Sequence, residues 1–336
     1  MPHRIYIDTE TGRVSMMYVG EKPWHGLGTQ LDEPATAAEA IQAANLDWEV
    51  VKKPLFAIDN GYSQPVRDKF AVVRCDVWGT SKYPVLGVVS QDYEPLQNRE
   101  AFEFFDPIVG EGAAVYHTAG ALGNGERVWM LAKLPEEIRV KGDDVAEKYL
   151  LLSNSHDGNS SVQIKFTPIR VVCDNTLTIA LSRGPTVRVS HTKDLRVRLE
   201  QARKNLRIIN TRFEGIEQAF QCMAGIQLNT RGLSHYLSRV FPDPRDATDE
   251  QGTLRMRRHR AWAEYFFANG KGNDQQPVRG TLWAAYNGVA EYIDHRRTNQ
   301  MDSDRLESVW FGNGYHVKAR AYEVAEGMAA GNGHSR

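Results

Sequence analysis

The hydrophobic pattern of the chain changes near residue 190. Before that point, short runs of alternating apolar and polar residues are separated by Gly- and Pro-containing turns, which is typical of β-strands. After it, apolar residues recur every three or four positions, which predicts helices. The sequence therefore predicts an α+β protein with a β-hairpin-rich domain over residues 1–190, a largely helical region over 191–328 and a disordered tail over 329–336.

Two hairpins are expected in the first half of the chain. Strands over 114–121 and 126–134 flank the turn residues Gly123-Asn124-Gly125. A second strand–turn–strand pattern covers 149–166 around Asp157-Gly158, residues that readily adopt left-handed turn conformations. The other elements expected here are a helix over 36–45, strands over 48–51, 70–77 and 85–90, and a helix that begins near Asn98.

The longest predicted helix covers residues 193–224. Its apolar positions are spaced alternately four and three apart, as in the seam of a coiled coil. They are Leu195, Leu199, Ala202, Leu206, Ile209, Phe213, Ile216, Phe220 and Met223. The seam fits an intramolecular helix pair and a subunit interface equally well. Further helices are predicted around 231–241, 253–268, 281–295 and 303–311.

Composition is that of a soluble globular protein. Apolar residues make up 41% and charged residues 25% of the 336 positions. No apolar run reaches the ~20 residues that span a bilayer, and the N-terminus lacks the apolar core of a signal peptide. The cysteines, Cys75, Cys173 and Cys222, are far apart and odd in number. We therefore expect a cytoplasmic protein without a disulfide framework.

Positive charge is concentrated just beyond the second hairpin. Residues 183–212 contain nine Lys or Arg and two acids, a local charge of +7 in a chain whose net charge is −1. This imbalance indicates either a surface that follows a polyanion or the solvated face of a long helix. On the first interpretation, the residues expected to contact or flank a phosphate backbone are Lys165, Arg170, Arg183, Arg188, Lys193, Arg196, Arg203, Lys204 and Arg207.

A second group of cations lies beside aromatic residues. The group is Arg255, Arg257, Arg258, His259, Arg260, Trp262, Tyr265 and Phe266. Exposed rings next to cations suit single-stranded nucleic acid, whose bases stack on aromatic side chains. A helix whose aromatic residues face the core and whose basic residues face solvent explains the same pattern, and we favour it slightly.

Motifs for metal-dependent or nucleotide-dependent chemistry are absent from the sequence. There is no Cys-x-x-Cys, no His-Glu-x-x-His and no Gly-Lys-Ser/Thr loop. Glu291 and His295 are spaced i, i+4 with Asp294 beside them, which is ordinary pairing on a helix. Cys173 has no evident base, and a buried thiol is its expected state. The sequence therefore predicts no catalytic residue, no metal ligand and no cofactor.

Four motifs, in order along the chain, carry a family resemblance. They are Trp24-His-Gly-Leu-Gly-Thr29, Ser155-His-Asp-Gly158, Pro168-Ile-Arg-Val-Val-Cys-Asp-Asn-Thr-Leu177, and Gly280-Thr-Leu-Trp-Ala-Ala-Tyr-Asn287 with Glu291-Tyr-Ile-Asp-His295. With them the chain resembles the phage/plasmid-like protein family, which is built on a bacterial domain of unknown function. The resemblance implies a mobile-element protein in a bacterial cell and supplies no catalytic residue. Gly288 departs from the expected alanine, with slightly weaker helix propensity as the foreseen consequence.

The working hypothesis is a sequence-independent single-stranded DNA-binding protein without a cofactor. A β-hairpin followed by a helix and positive charge resembles, at the level of pattern, the core of single-strand annealing proteins, which form rings with DNA in a basic groove. We therefore expect a homo-oligomer that acts in recombination or annealing for a phage or plasmid. The alternatives are a protein-interaction or counter-defence factor that binds a host protein, and a metal-dependent nuclease.

Overall fold

Two compact units make up the 336-residue chain in the computed structural model. The N-terminal unit comprises Met1–Pro135, Tyr149–Lys165 and Thr186–Arg207, and the C-terminal unit comprises Glu136–Lys148, Phe166–Pro185 and Ile208–Arg336. The residues that the structure describes are 5–20, 26–33, 35–80, 82, 84–110, 115–170, 175–176, 186–206, 209–246, 248–297 and 305–332.

Strands dominate the first part of the chain, as the sequence predicts. Among the described residues they are β1 (Met16–Val19), β2 (Thr29–Leu31), β3 (Val50–Asp59), β4 (Tyr62–Arg74), β5 (Val85–Ser90), β6 (Val115–Leu122), β7 (Arg127–Lys141), β8 (Asp144–Ser155), β9 (Val162–Phe166), β10 (Ile169–Arg170), β11 (Asn175–Thr176) and β12 (Thr186–Val189). In the N-terminal unit β8, β7, β6, β1 and β2 lie side by side, and β9 joins β8 and β12. Strands β3, β4 and β5 form a separate antiparallel sheet in the same unit.

The division into units differs from the single boundary expected near residue 190. Segments 136–148 and 166–185 belong to the C-terminal unit although they precede that boundary. The reason is the length of the β7–β8 hairpin, which turns at Gly142, a glycine with φ +61°. The base of this hairpin belongs to one unit and its distal end to the other. The sequence pattern places a strand over 126–134 and misses its continuation.

Helices dominate the rest of the chain, so the α+β class is confirmed. Those described are α1 (Ala37–Ala43), α2 (Asn98–Gly110), α3 (Leu195–Leu206), α4 (Ile209–Gly225), α5 (Thr230–Val240), α6 (Glu250–Asn269), α7 (Leu282–Glu291), a π-helical turn (Tyr292–Arg296), α8 (Arg305–Trp310) and α9 (Asn313–Asn332). Side chains that accept a backbone N–H cap the N-termini of four of them: Thr36 for α1, Asn229 for α5, Asp249 for α6 and Thr281 for α7.

The predicted helix over 193–224 corresponds to two elements, α3 and α4, with residues 207 and 208 outside the described part of the chain. The heptad seam is buried at both ends, at Leu195 and Leu199 in α3 and at Ile216, Phe220 and Met223 in α4. Helix α3 packs on α2 and β12 in the N-terminal unit, whereas α4 packs on α7 and α9 in the C-terminal unit. One apolar stripe therefore contributes to two separate cores.

The C-terminal helix α9 extends further than expected. It continues to Asn332, so the prediction of disorder from residue 329 is wrong for its first four positions, and residues 333–336 lie outside the described part of the chain. None of the helices that the structure describes is both long and apolar enough to span a bilayer.

Helix α7 is the centre of the C-terminal unit. All ten of its residues are buried, and α4, α6 and α9 pack against it. At Gly288 an added Cβ would lie 2.7 Å from the amide nitrogen of Phe267 and 2.9 Å from the carbonyl oxygen of Ala263, both on α6. Glycine therefore allows the backbones of α6 and α7 to approach closely. The expectation that this glycine affects helix propensity alone is wrong.

Candidate nucleic-acid interface

Arg170, which the sequence places beside a phosphate path, is a buried structural residue of the C-terminal unit. Its Nε and Nη2 donate to Asp144 Oδ1 and Oδ2 at 2.8 and 2.6 Å, and its Nη1 donates to Asn273 Oδ1 at 2.8 Å. The indole Nε1 of Trp283 donates to the same Asp144 carboxylate at 2.8 Å. Arg170 has no exposed surface, so the prediction that it contacts or flanks nucleic acid is corrected.

Lys165 is also buried, in the N-terminal unit. It lies on β9 opposite Thr186 of β12. Burial, together with repulsion from Arg188 and Arg127, lowers the pKa of Lys165 to about 7. An amine that is buried and only partly protonated at neutral pH is a poor phosphate ligand, so this prediction is corrected as well.

Exposed cations at the start of α3 face carboxylates. The pairs are Lys193–Asp92 at 3.7 Å, Arg196–Glu100 at 2.7 Å and Arg198–Asp194 at 2.6 Å. Two of the three acids lie near α2, far from this segment in sequence, which is why counting charges over 183–212 could not reveal them. The segment is therefore less positive in the folded N-terminal unit than its composition indicates.

The other predicted contacts are divided between exposed and undescribed positions. Arg188 on β12 is exposed. Arg203 and Lys204 lie on α3, but their side chains are outside the described set, and Arg183 and Arg207 lie outside the described residues altogether. The structure thus leaves Arg188, Lys193 and Arg196 as exposed members of the predicted surface.

The second cluster has a different arrangement, because its aromatic rings lie on the outside of α6. Trp262 is 37% exposed and Tyr265 is 52% exposed, whereas Ala263 between them is buried. The slightly favoured interpretation, with the aromatic residues facing the core, is therefore wrong for these two rings. We call the following exposed residues the outer face of α6: Leu254, Arg255, Arg257, Arg258, Trp262 and Tyr265.

Three rings at the end of this face contact one another. Ring centroids are 5.8 Å apart for Trp262 and Tyr265, 6.3 Å for Trp262 and Phe266, and 5.4 Å for Tyr265 and Phe266. The guanidinium of Arg296, on the π-helical turn, lies 4.7 Å from the centroid of Trp262, which is cation–π geometry. The sequence did not indicate that Arg296 belongs to this face, because no local pattern predicts a π-helical turn. Such turns are frequent at functional sites.

The three arginines of this face lack acidic partners among the described residues. In the described part of the chain, Arg255, Arg257 and Arg258 are exposed and form no ion pair. The Nη1 atom of Arg297 is buried and has no hydrogen-bond partner there. Burial and the nearby Arg255 both lower the pKa of Arg297, so these guanidinium groups repel one another. An anion bound among them would relieve that repulsion.

Two other members of the cluster hold α6 in place. Arg260 donates to the carbonyl oxygen of Phe241 at 2.9 and 2.7 Å and pairs with Asp243 at 2.8 Å. His259 Nδ1 and the hydroxyl of Tyr292 are 2.6 Å apart. Burial, with smaller contributions from Arg297 and Arg255, lowers the pKa of His259 to about 4, so this imidazole is neutral at physiological pH.

The acids near the π-helical turn have structural partners. Glu291 accepts the backbone N–H of Lys271 at 3.2 and 3.1 Å, and Asp294 pairs with Lys318 at 2.6 Å in a buried site. Among the residues that the structure describes, no three His, Cys, Asp or Glu side chains are arranged to hold a metal ion.

Comparison with known proteins gives one match. No curated protein and no solved structure matches the chain. The model of the domain of unknown function DUF932 matches residues 85–310, which include α6 and the π-helical turn. Because the match covers more than half of the sequence, the chain belongs to the DUF932 family.

Proposed function

We propose that this protein binds single-stranded nucleic acid, primarily DNA, without sequence preference and through the outer face of α6. One observation carries the proposal: three exposed arginines without acidic partners in the described residues lie beside two exposed aromatic rings. Arginine displaces the counterions of a phosphate backbone, and bases of any identity stack on aromatic rings. The combination favours a polymer whose bases are unpaired.

The spacing along α6 suits this ligand. Arg258 precedes Trp262 by one turn, and Arg255 precedes it by two, so both cations lie on the same side of the helix as the indole. At 1.5 Å per residue, the stripe from Leu254 to Tyr265 is about 16 Å long. This length allows several neighbouring nucleotides to contact the helix at once.

The π-helical turn extends the surface. Arg296 approaches Trp262, and the half-buried guanidinium of Arg297 adds positive charge beside Arg255. Because the Nη1 atom of Arg297 is buried, this residue would attract a phosphate through its charge and not through a hydrogen bond from that atom. These residues are distant in sequence from α6, so the proposal rests on tertiary structure more than on the charge run over 183–212.

The proposal also includes a biological setting. The four-motif resemblance supports a mobile-element protein of the bacterial cytoplasm, encoded by a phage or plasmid. Sequence-independent binding of single strands is the activity that recombination and annealing require. We therefore propose that the protein acts in one of these processes as a homo-oligomer.

The test compares two triple charge reversals of equal size. The variant R255E/R257E/R258E reverses the three cations on the outer face of α6. The variant R203E/K204E/R207E reverses three cations of the basic segment 183–212, on α3 and just after it. Affinity for a labelled, mixed-sequence oligonucleotide is measured by fluorescence anisotropy at several salt concentrations. We expect the first variant to lose at least about 100-fold in affinity and the second to stay within about threefold.

A second pair of variants tests stacking. Trp262→Ala should weaken binding about 5- to 100-fold, as expected for one stacked base, whereas Trp78→Ala, at another exposed indole, should leave it unchanged. If the wild-type protein binds no oligonucleotide, the proposal fails and the protein-interaction alternative gains. If only the R203E/K204E/R207E variant loses affinity, the interface lies on α3 instead.

A further inference from the structure

The distal part of the β3–β4 hairpin in the N-terminal unit exposes large apolar side chains. Phe56 is 53% exposed, Ile58 is 76% exposed and Tyr62 is 79% exposed. Strand β5 pairs with β4 only from Lys69 onward, so this part of the hairpin is a two-stranded ribbon among the described residues. Isolated two-stranded ribbons are marginally stable in water, and exposed apolar clusters mark interaction sites. The ribbon therefore has the properties of a docking element.

The two edges of the ribbon differ in their capacity to accept another strand. On the β4 edge, Pro65 has no N–H, and Asp68 has φ +59° within an irregular stretch where the β3–β4 register shifts. Proline and bulges are features that block strand pairing. On the β3 edge, residues 55–59 contain no proline, glycine or lysine, and 56–59 pair in continuous register with β4 beyond the shift at Leu55. Among the described residues, the β3 edge is thus the open one.

The turn determines which backbone groups this edge offers. Asn60 and Gly61 have φ +44° and +83°, as in a type I′ turn, so Asp59 and Tyr62 on either side of it form a hydrogen-bonded pair. Pairs alternate along an antiparallel ladder. The N–H and C=O groups of Phe56 and Ile58 consequently point away from β4, toward the open edge.

We propose that the β3 edge pairs with the β3 edge of a second copy of this chain, antiparallel and across a two-fold axis at Ala57. In this register Phe56 lies directly opposite Ile58 of the second copy, and the reverse pair forms by symmetry. Each pair exchanges two backbone hydrogen bonds, about four in all. Aromatic and β-branched side chains opposite each other on one face also stabilise a sheet.

Charge and proline positions favour this occupant and this register. Asp59 lies opposite Leu55 of the second copy and diagonal to its Lys53, so two attractive pairs form and no like charges face each other. With the axis at Phe56 instead, Ile58 would lie opposite Pro54, which has no N–H to donate. Of these two registers, the one centred on Ala57 is therefore the self-complementary one. The inference does not rest on nucleic-acid binding, and the hairpin lies outside the segment matched by the family model.

The first test uses proline at two equivalent positions. Ile58 and Ser63 face each other in the ladder as a non-hydrogen-bonded pair, so both N–H groups point outward, each to its own edge. Sedimentation velocity of the full chain, from about 1 to about 100 µM, should show a monomer–dimer equilibrium. We expect Ile58→Pro to weaken dimerisation at least about tenfold and Ser63→Pro to leave it unchanged. A monomeric wild-type protein, or equal effects of the two prolines, would overturn the proposal.

Charge exchange and cross-linking test the register without proline. Lys53→Asp and Asp59→Lys should each weaken the dimer, and the double variant should restore it, because the diagonal pairs are then attractive again. In a background with serine at the three native cysteine positions, Ala57→Cys should form an intermolecular disulfide on mild oxidation. Ala57 would face its own copy in a non-hydrogen-bonded pair, at about 4.5 Å between Cα atoms. Gln64→Cys, across the ladder from Ala57, should stay monomeric, and cross-linking at Gln64 instead would exclude this register.

Discussion

Arg170 and Asp144 form an ion pair with almost no exposed surface in the C-terminal unit, joined by two parallel hydrogen bonds of 2.8 and 2.6 Å. Asp144 is the first residue of β8, and Arg170 is the last residue of β10. Asn273 and Trp283 bond to the same pair from the helical part of the unit. The pair thus connects the distal end of the β7–β8 hairpin to the helices of its own unit.

The first prediction concerns this pair. Arg170→Met leaves the Asp144 carboxylate buried without its counter-charge, which should lower the free energy of unfolding by about 3–5 kcal/mol. Guanidinium denaturation measures the loss. Arg198→Met, which breaks the exposed pair with Asp194, should cost far less, because solvent screens that pair. The folded fraction of Arg170→Met should bind oligonucleotide as the wild type does. A loss of binding by the folded protein would mean that Arg170 does contribute to the interface.

The second prediction concerns the contact between α6 and α7. Gly288→Ala places a methyl group less than 3 Å from the α6 backbone, so the helices must separate, at a cost of about 1–3 kcal/mol. Gly215→Ala, on α4 at an exposed position where an added Cβ would have no atom nearby, should instead stabilise the protein by up to about 1 kcal/mol. Thermal unfolding of the two variants shows whether each substitution raises or lowers the stability of the protein. A neutral Gly288→Ala would show that the helices adjust without strain.

The third prediction concerns salt. Each phosphate contact with a single strand contributes about −0.7 to the slope of log affinity against log salt concentration. Arg258→Gln should therefore reduce the magnitude of the slope by about 0.7. Arg198→Gln is the matched control, because Arg198 is exposed but paired with Asp194, and its slope should equal that of the wild type. Equal slopes for Arg258→Gln and the wild type would mean that Arg258 contacts no phosphate.

The fourth prediction concerns acid. His156 is fully buried with Nε2 3.0 Å from Asn98 Oδ1, and burial, with smaller repulsion from His191 and Arg74, lowers its pKa to about 3. In the unfolded chain His156 binds a proton near pH 6.5, whereas in the folded chain it stays neutral down to about pH 3. The free energy of unfolding therefore falls as the pH drops from about 6.5 toward 3.

The slope of the unfolding free energy against pH shows how much His156 contributes to the acid sensitivity. One such histidine contributes up to about 1.4 kcal/mol per pH unit, and burial lowers the pKa of His191 and of His259 as well. His156→Gln, whose amide can donate to Asn98, should reduce the pH dependence of the unfolding free energy between pH 6.5 and 5 by about a third, whatever its effect at pH 7. An unchanged slope would assign the acid sensitivity to other residues.

Local signals were sufficient for many elements. Thr36 and Glu39 form a capping box at the start of α1, within the helix expected over 36–45. The expected hairpins over 114–134 and 149–166 correspond to β6–β7 and to β8–β9. The turn at Asn60-Gly61 was also present in the sequence, as a strong hairpin signal. It was missed because strands β3 and β4 are exposed there on both faces and show no inward-facing apolar pattern.

The candidate site could be predicted only in part. The sequence located Trp262, Tyr265 and the arginines before them, because these residues are neighbours along one helix and can be recognised without the tertiary structure. It could not tell which way the rings face, since that depends on α7 packing against α6 at Gly288. Arg296 and Arg297 were missed for a related reason: the π-helical turn that brings Arg296 over Trp262 leaves no local pattern.

By itself, the sequence determined the α+β class, the approximate positions of most elements and the presence of two basic segments. These properties follow from periodicity, turn chemistry and composition, which act over a few residues. Only the tertiary structure decided the electrostatic state of each cation, because that state depends on groups distant in sequence. It buried Arg170 against Asp144, placed Glu100 against Arg196 and left Arg258 exposed. Counting charges over neighbouring residues cannot tell a buried arginine from a paired one or from an exposed one without a partner, since burial and pairing are set by tertiary packing.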